Sequence, residues 1–219
     1  MLVGHFAVGM AAKRVAPAVS LGTFVLASML ADLLWCIFMI AGIEHVQIKQ
    51  GMGAANYPDA SDIAMSHSLL MDALWGGLLA AAWFVRRRSP LGAWVLYGAV
   101  LSHWLLDWIS HRPDMPLAPG VRRFFGLGLW TSIPATVAIE GGFWLLAIVL
   151  YARATHPKNR AGVYAYWSVI ALLTLAWYNN IAGPPPRDPH TAPFASFILF
   201  SLAVAWAYWM NRVRPVREA

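Results

Sequence analysis

The stretch LGAWVLYGAVLSHWLLDWI, residues 91–109, is apolar along nearly all its length. As a helix it is long enough to cross the hydrocarbon core of a bilayer. Two ionisable residues interrupt it, His103 and Asp107, four positions apart and therefore on one helix face. Five further apolar runs surround it: Pro17–Ile43, Ser66–Val85, Thr131–Tyr151, Gly162–Ala182 and Phe194–Met210. Residues 2–14 are too short to span and read as an interfacial or half-inserted helix. The expectation is an all-α, polytopic membrane helical bundle with about six transmembrane helices and a short N-terminal helix. It forms a single integral membrane domain over residues 1–219.

Composition agrees. The 219 residues are 59% hydrophobic and 12% charged, against roughly 25% charged in soluble domains. A soluble domain of this size could not hide so much apolar surface, and no alternating ten-residue pattern of a membrane β-barrel is present. The net charge of +6 does not indicate nucleic acid, because the basic residues cluster at the ends of apolar runs. A lone cysteine, Cys36, excludes an internal disulfide. The first apolar stretch carries His5 and is followed, not preceded, by Lys13 and Arg14, unlike a cleavable signal.

Six spans sort the cations unequally. One side receives Lys13, Arg14, Arg86, Arg87, Arg88, Arg153, Lys158, Arg160, Arg212, Arg214 and Arg217; the other receives Lys49, Arg112, Arg122, Arg123 and Arg187. The positive-inside rule then places both termini in the cytoplasm of an inner (plasma) membrane. Trp83, Trp94, Trp108, Trp130 and Trp209 fall near span ends, as an aromatic belt does. The loop over 44–65 and the segment that starts at Gly183-Pro184-Pro185-Pro186 are turn-rich. His45, His156 and His190 lie in loops and read as solvated.

Ionisable groups inside a membrane are costly and mark functional sites by default. Asp32, Asp72, His103, Asp107 and Glu140 lie within expected spans, His67 opens the second, His111 follows the third, and His5 sits in the N-terminal stretch. Counting the rise from either end brings groups from four spans to the outer half of the bilayer. His103 and Asp107 can bind one metal, or hydrogen-bond to each other. His111 lies roughly 12 Å of rise beyond His103, too far for all three to share one ion easily. Asp72 also fits a structural pairing, and Glu140 a proton path. A mixed His/Asp/Glu set suits zinc first, with manganese or iron as alternatives.

The pattern resembles the predicted inner-membrane-bound metal-dependent hydrolase family, itself thought to be remotely similar to zinc-dependent phospholipase C. The residues that carry the resemblance are His5 followed by Gly9, Asp32 in the first span, Ser66-His67-Ser68, and Ser102-His103-x-x-x-Asp107. They cover about residues 1–140; residues 141–219 hold the remaining helices and a basic cytoplasmic tail. Two departures stand out. The family usually shows Pro-Asp-x-Asp where this chain reads Ala31-Asp32-Leu33-Leu34, and His-Arg where it reads Asp62-Ile63.

The resemblance implies hydrolysis of a lipid-linked ester or phosphodiester through a metal-activated water. His5, Asp32, His67, His103 and Asp107 would hold the metal, with His111 and Glu140 as additions. The metal would lower the pKa of its water to about 7, and Asp32 or Glu140, if not ligated, would act as general base. Arg112, Arg122 and Arg123 in the outer loop are candidates for gripping the substrate phosphate, or plain interfacial anchors. Membrane lipid is the expected partner, and a homo-oligomer is compatible. Rival readings are a small ion- or proton-coupled transporter and a structural subunit of a membrane complex whose polar groups pin helices together.

Overall fold

The computed structural model describes residues 1–46, 62–183 and 191–217. Lys49, Arg187, His190, Pro184, Pro185 and Pro186, together with most of the expected loop over 44–65, lie outside the described residues. Nine α-helices carry the described chain: α1 (Leu2–Val15), α2 (Leu21–Ser28), α3 (Leu30–Ile40), α4 (Ala64–His67), α5 (Leu69–Arg87), α6 (Pro90–Ser110), α7 (Ile133–Ala154), α8 (Arg160–Ala182) and α9 (Ala192–Val213). A two-stranded ribbon, β1 (Met115–Pro116) with β2 (Phe124–Phe125), folds the loop after α6.

The helix starts are written locally. Ser20, Ser68, Ser89, Ser132 and Asn159 each cap a helix by accepting a backbone N–H in its first turn. Pro90 and Pro134 sit in first turns, where a missing N–H costs nothing. Arg88 ends α5 in the left-handed region, directly after the basic triplet begins.

Four helices, α5, α7, α8 and α9, are long and apolar enough to cross a membrane, and a fifth span arises if α2 and α3 count together. One expectation is corrected here. The run Pro17–Ile43 is not one straight helix: it breaks at Met29, and α2 and α3 are bent by 57°. The run Leu91–Ile109 corresponds to α6, 21 residues long and so long enough to span; its inward-facing His103 and Asp107 keep it out of the set above. Many large apolar side chains on the long helices face outward, among them Leu70, Leu74 and Leu78 on α5 and Leu145 and Leu146 on α7. That inverted surface is what a lipid environment requires.

α1 is only 14 residues long, yet it sits inside the bundle, against α2, α6 and α7. Its residues Val3, Phe6, Ala7 and Met10 belong to the main apolar core. Gly9 allows the close approach: a Cβ there would stand 3.1 Å from both Val25 Cα and Ser28 Oγ of α2. The broken α2–α3 unit, the turn α4 and the end of α6 then surround one end of α1.

Candidate metal centre

Five of the expected ligands converge. α1 supplies His5, α3 supplies Asp32, α4 supplies His67, and α6 supplies His103 and Asp107. His67 Nε2 lies 3.5 Å from Asp32 Oδ1 and 3.9 Å from Asp107 Oδ2. His103 Nε2 lies 3.8 Å from Asp32 Oδ1 and 3.3 Å from Asp107 Oδ2. His5 Nε2 lies 3.0 Å from Asp107 Oδ1, and its ring stacks on His103 at 3.7 Å with 5° between planes. The α-amino group of Met1 contacts Asp107 Oδ1 and His5 Nε2. Two triads have ligand atoms close enough to hold an ion, His5–His103–Asp107 and Asp32–His67–His103.

The donor types, imidazole and carboxylate, suit zinc, whose bonds of about 2.0–2.1 Å imply ligand–ligand edges of about 3.3–3.4 Å. The four edges above, between two imidazole nitrogens and two carboxylate oxygens, run from 3.3 to 3.9 Å. The four residues do not close into one set: among the described residues the two triads are the groups within ion-binding reach, and they share His103.

Both of those imidazoles are held in the tautomer a metal needs. A carbonyl oxygen can only accept, so His103 Nδ1 donates to the Ser28 carbonyl at 2.8 Å. Its Nε2 is then left to face the Asp32 and Asp107 carboxylates, where it could offer its lone pair to an ion. The break at Met29 points that carbonyl out of the helix ladder. For His67, Ser66 Oγ donates to Glu44 Oε2 at 2.7 Å and so accepts from His67 Nδ1 at 2.8 Å. Ser66 N also donates to Glu44 Oε1 at 2.8 Å. Such outer partners orient metal-bound histidines. Burial pushes the pKa of Glu44 up, and the two bonds from Ser66 oppose that shift.

Sequence reasoning missed Glu44 and the Ser28 carbonyl. Glu44 follows the end of α3 among loop residues, and only its burial at 2% exposure distinguishes it. A backbone carbonyl has no sequence signal at all.

The remaining expected residues lie elsewhere. Glu140 belongs to neither triad; its Oε1 accepts from Val3 N at 3.0 Å and Gly4 N at 3.5 Å. His111 does not extend the His103–Asp107 stripe, because the backbone turns extended there as α6 ends. Its Nδ1 instead faces Asp114 Oδ1 at 3.0 Å. Arg112 pairs with the same carboxylate, Nε to Oδ2 at 3.3 Å. Arg122 is exposed, and exposed Arg123 lies over the Phe125 ring. Asp72 is 1% exposed, and neither carboxyl oxygen has a hydrogen-bond partner of normal geometry among the described residues. Its neighbours include the Trp104 backbone and the charges of His103, Asp107 and Asp32. Among Asp32, His67, His103 and Asp107, Asp32 is the accessible one, with 18% of its side chain exposed against 5% or less for the others.

The model of the YdjM inner membrane protein family matches residues 1–182 of this chain, which therefore belongs to that family. With its outward-facing apolar helices the protein is an integral membrane protein. No curated protein and no solved structure matches it.

Proposed function

We propose that this member of the YdjM inner membrane protein family is a membrane-embedded, metal-dependent hydrolase of a lipid-linked ester, foremost a phosphodiester. The observation that carries the reading is the set of 3.3–3.9 Å edges joining His67 and His103 Nε2 to the Asp32 and Asp107 carboxylates. Zinc is the preferred ion for two imidazoles and two carboxylates, ahead of manganese or iron.

An ion held by these residues would supply Lewis acidity, polarising an ester or phosphoryl oxygen and acidifying water. The protein's own groups do the rest. Asp107 offers both oxygens, Oδ2 toward His103 and His67 and Oδ1 toward His5. His103 has one lone pair to give, since Nδ1 is committed to Ser28. It therefore serves one triad at a time, and His5 with Asp107 Oδ1 offers a position for a fifth donor or a second ion. Asp32, the accessible donor, would mark the side from which substrate arrives, and its second oxygen, if unligated, would take a proton from an attacking water. The cation distribution supports a cytoplasmic C-terminus and a site that takes lipid laterally from the outer leaflet; the expected cytoplasmic N-terminus does not fit, because Met1 lies against Asp107 and Ser110 at the outer end of α6.

Elemental analysis of the purified protein tests the metal. One or two transition-metal ions per chain are expected, with near-complete loss in His103→Ala and Asp107→Ala. Release of a soluble phosphorylated headgroup from phosphatidylglycerol and phosphatidylethanolamine vesicles tests the reaction. Well-folded protein free of metal removes the metal centre and leaves the transporter or scaffold readings. Metal without turnover of any lipid ester removes the hydrolase alone.

A further inference from the structure

Glu140 stands on α7 and is fully buried. It is 137 residues away in sequence from the groups it serves, the backbone amides of Val3 and Gly4. Those amides lie in the first turn of α1, where a helix leaves its N–H groups without partners. α1 has no cap of its own: Met1 at the N-cap position makes no side-chain cap bond, and the first turn holds no acid. A carboxylate at that end also complements the helix dipole. The next residue along α1 is His5, whose ring lies flat on His103.

We propose that Glu140 is a positioning residue: it caps α1 from another helix and so fixes the depth at which His5 enters the metal centre. The inference rests on the reading of His5 as part of that centre. The contact needs an acceptor at Oε1 and not a charge, so a glutamine can replace it and an alanine cannot.

Two measurements on the full-length protein in detergent test this, both on Glu140→Ala and Glu140→Gln, with His5→Ala and the double variant added to the first. The first is zinc affinity by chelator competition. Glu140→Ala should weaken binding by about tenfold or more, as loss of an outer-sphere partner does, and Glu140→Gln should stay near wild type. The loss should not add to that of His5→Ala in the double variant, as for two residues acting through one contact. The second is modification of His5 by diethylpyrocarbonate in metal-free protein, read by mass spectrometry. His5 is 2% exposed and should be protected in wild type and Glu140→Gln but modified in Glu140→Ala.

Equal damage from Gln and Ala, or additive losses, would overturn the proposal in favour of a ligand or proton-carrying role. Protection of His5 in Glu140→Ala would overturn it outright. If the alanine variant does not fold, Glu140→Asp, which withdraws the carboxylate by one methylene, should expose His5 in part; full protection there is again a negative result. The modification readout does not depend on zinc, so failure of the metal reading and failure of the positioning role are separable.

Discussion

The imidazole of His103 and the carbonyl of Ser28 meet at 2.8 Å across 75 residues of sequence. The bond joins a helix break to a candidate ligand. A straight α2–α3 helix would keep the Ser28 carbonyl in its own ladder, and His103 would lose the acceptor that fixes its proton on Nδ1. The bent pair therefore selects the nitrogen that faces Asp32 and Asp107.

Nitrogen-15 NMR of histidine-labelled protein with zinc added checks that relationship. His103 should show a protonated Nδ1 and an unprotonated, metal-bound Nε2. A signal for the opposite tautomer would uncouple the helix break from the ligand.

Glu44→Gln should weaken zinc binding by about 10- to 100-fold, because the Ser66 relay that orients His67 loses one of its carboxylate oxygens. Stability should also respond. Burial raises the pKa of Glu44 above its ordinary 4.5, so the folded protein holds this proton more tightly than the unfolded chain. Its contribution is fully present below about pH 4.5 and is lost as pH rises through the raised value. Thermal melts of metal-free protein from pH 4 upward should fall less steeply for Glu44→Gln than for wild type; parallel curves would refute the shift.

Gly9→Leu should destabilise the protein by about 1–3 kcal/mol through overpacking, since even a Cβ would stand 3.1 Å from the α2 backbone at Val25. A lowered Tm in detergent, with reduced zinc content as α1 is pushed off α2, is the expected pair of results. An unchanged Tm would show that α1 is not held where the structure places it.

Asp72→Leu should leave zinc stoichiometry unchanged, because Asp72 belongs to neither candidate triad. Removing a buried carboxyl with no hydrogen-bond partner of normal geometry should hold or raise stability, by up to about 3 kcal/mol. Loss of metal in this variant would bring Asp72 into the site.

Orientation can be read by single-cysteine labelling, since Cys36, the only cysteine, is fully buried. Arg88 and Arg123 are both exposed and are assigned to opposite faces. A membrane-impermeant maleimide should label Arg123→Cys in intact cells and Arg88→Cys only after permeabilisation. The reverse pattern would invert the assignment of the C-terminus to the cytoplasm.

The membrane class was legible because apolar runs of this length and number have no soluble solution. The cluster of His5, Asp32, His67, His103 and Asp107 was legible because charge and imidazole inside such runs are costly unless used. Glu140 carried the same signal for a different reason: it answers the bare amides of α1, and nothing in its flanking residues announces a cap 137 positions away. His111 looked like the next step of a helical stripe, but the helix ends there and the stripe with it. The break at Met29 has no proline or glycine to mark it. It follows from tertiary contacts, with His103 taking the released carbonyl, and such an effect is invisible to periodicity.

The limited opening at Asp32 has a consequence for biogenesis. Four separate helices must already be in place before the donors face one another, and once they are, the remaining doorway is narrow. An ion would have to be captured while the bundle is still assembling or pass that one side chain afterwards. Cells starved of zinc during synthesis should accumulate an empty form that later supplementation fills slowly, and bulky chelators should strip the mature form more slowly than compact ones.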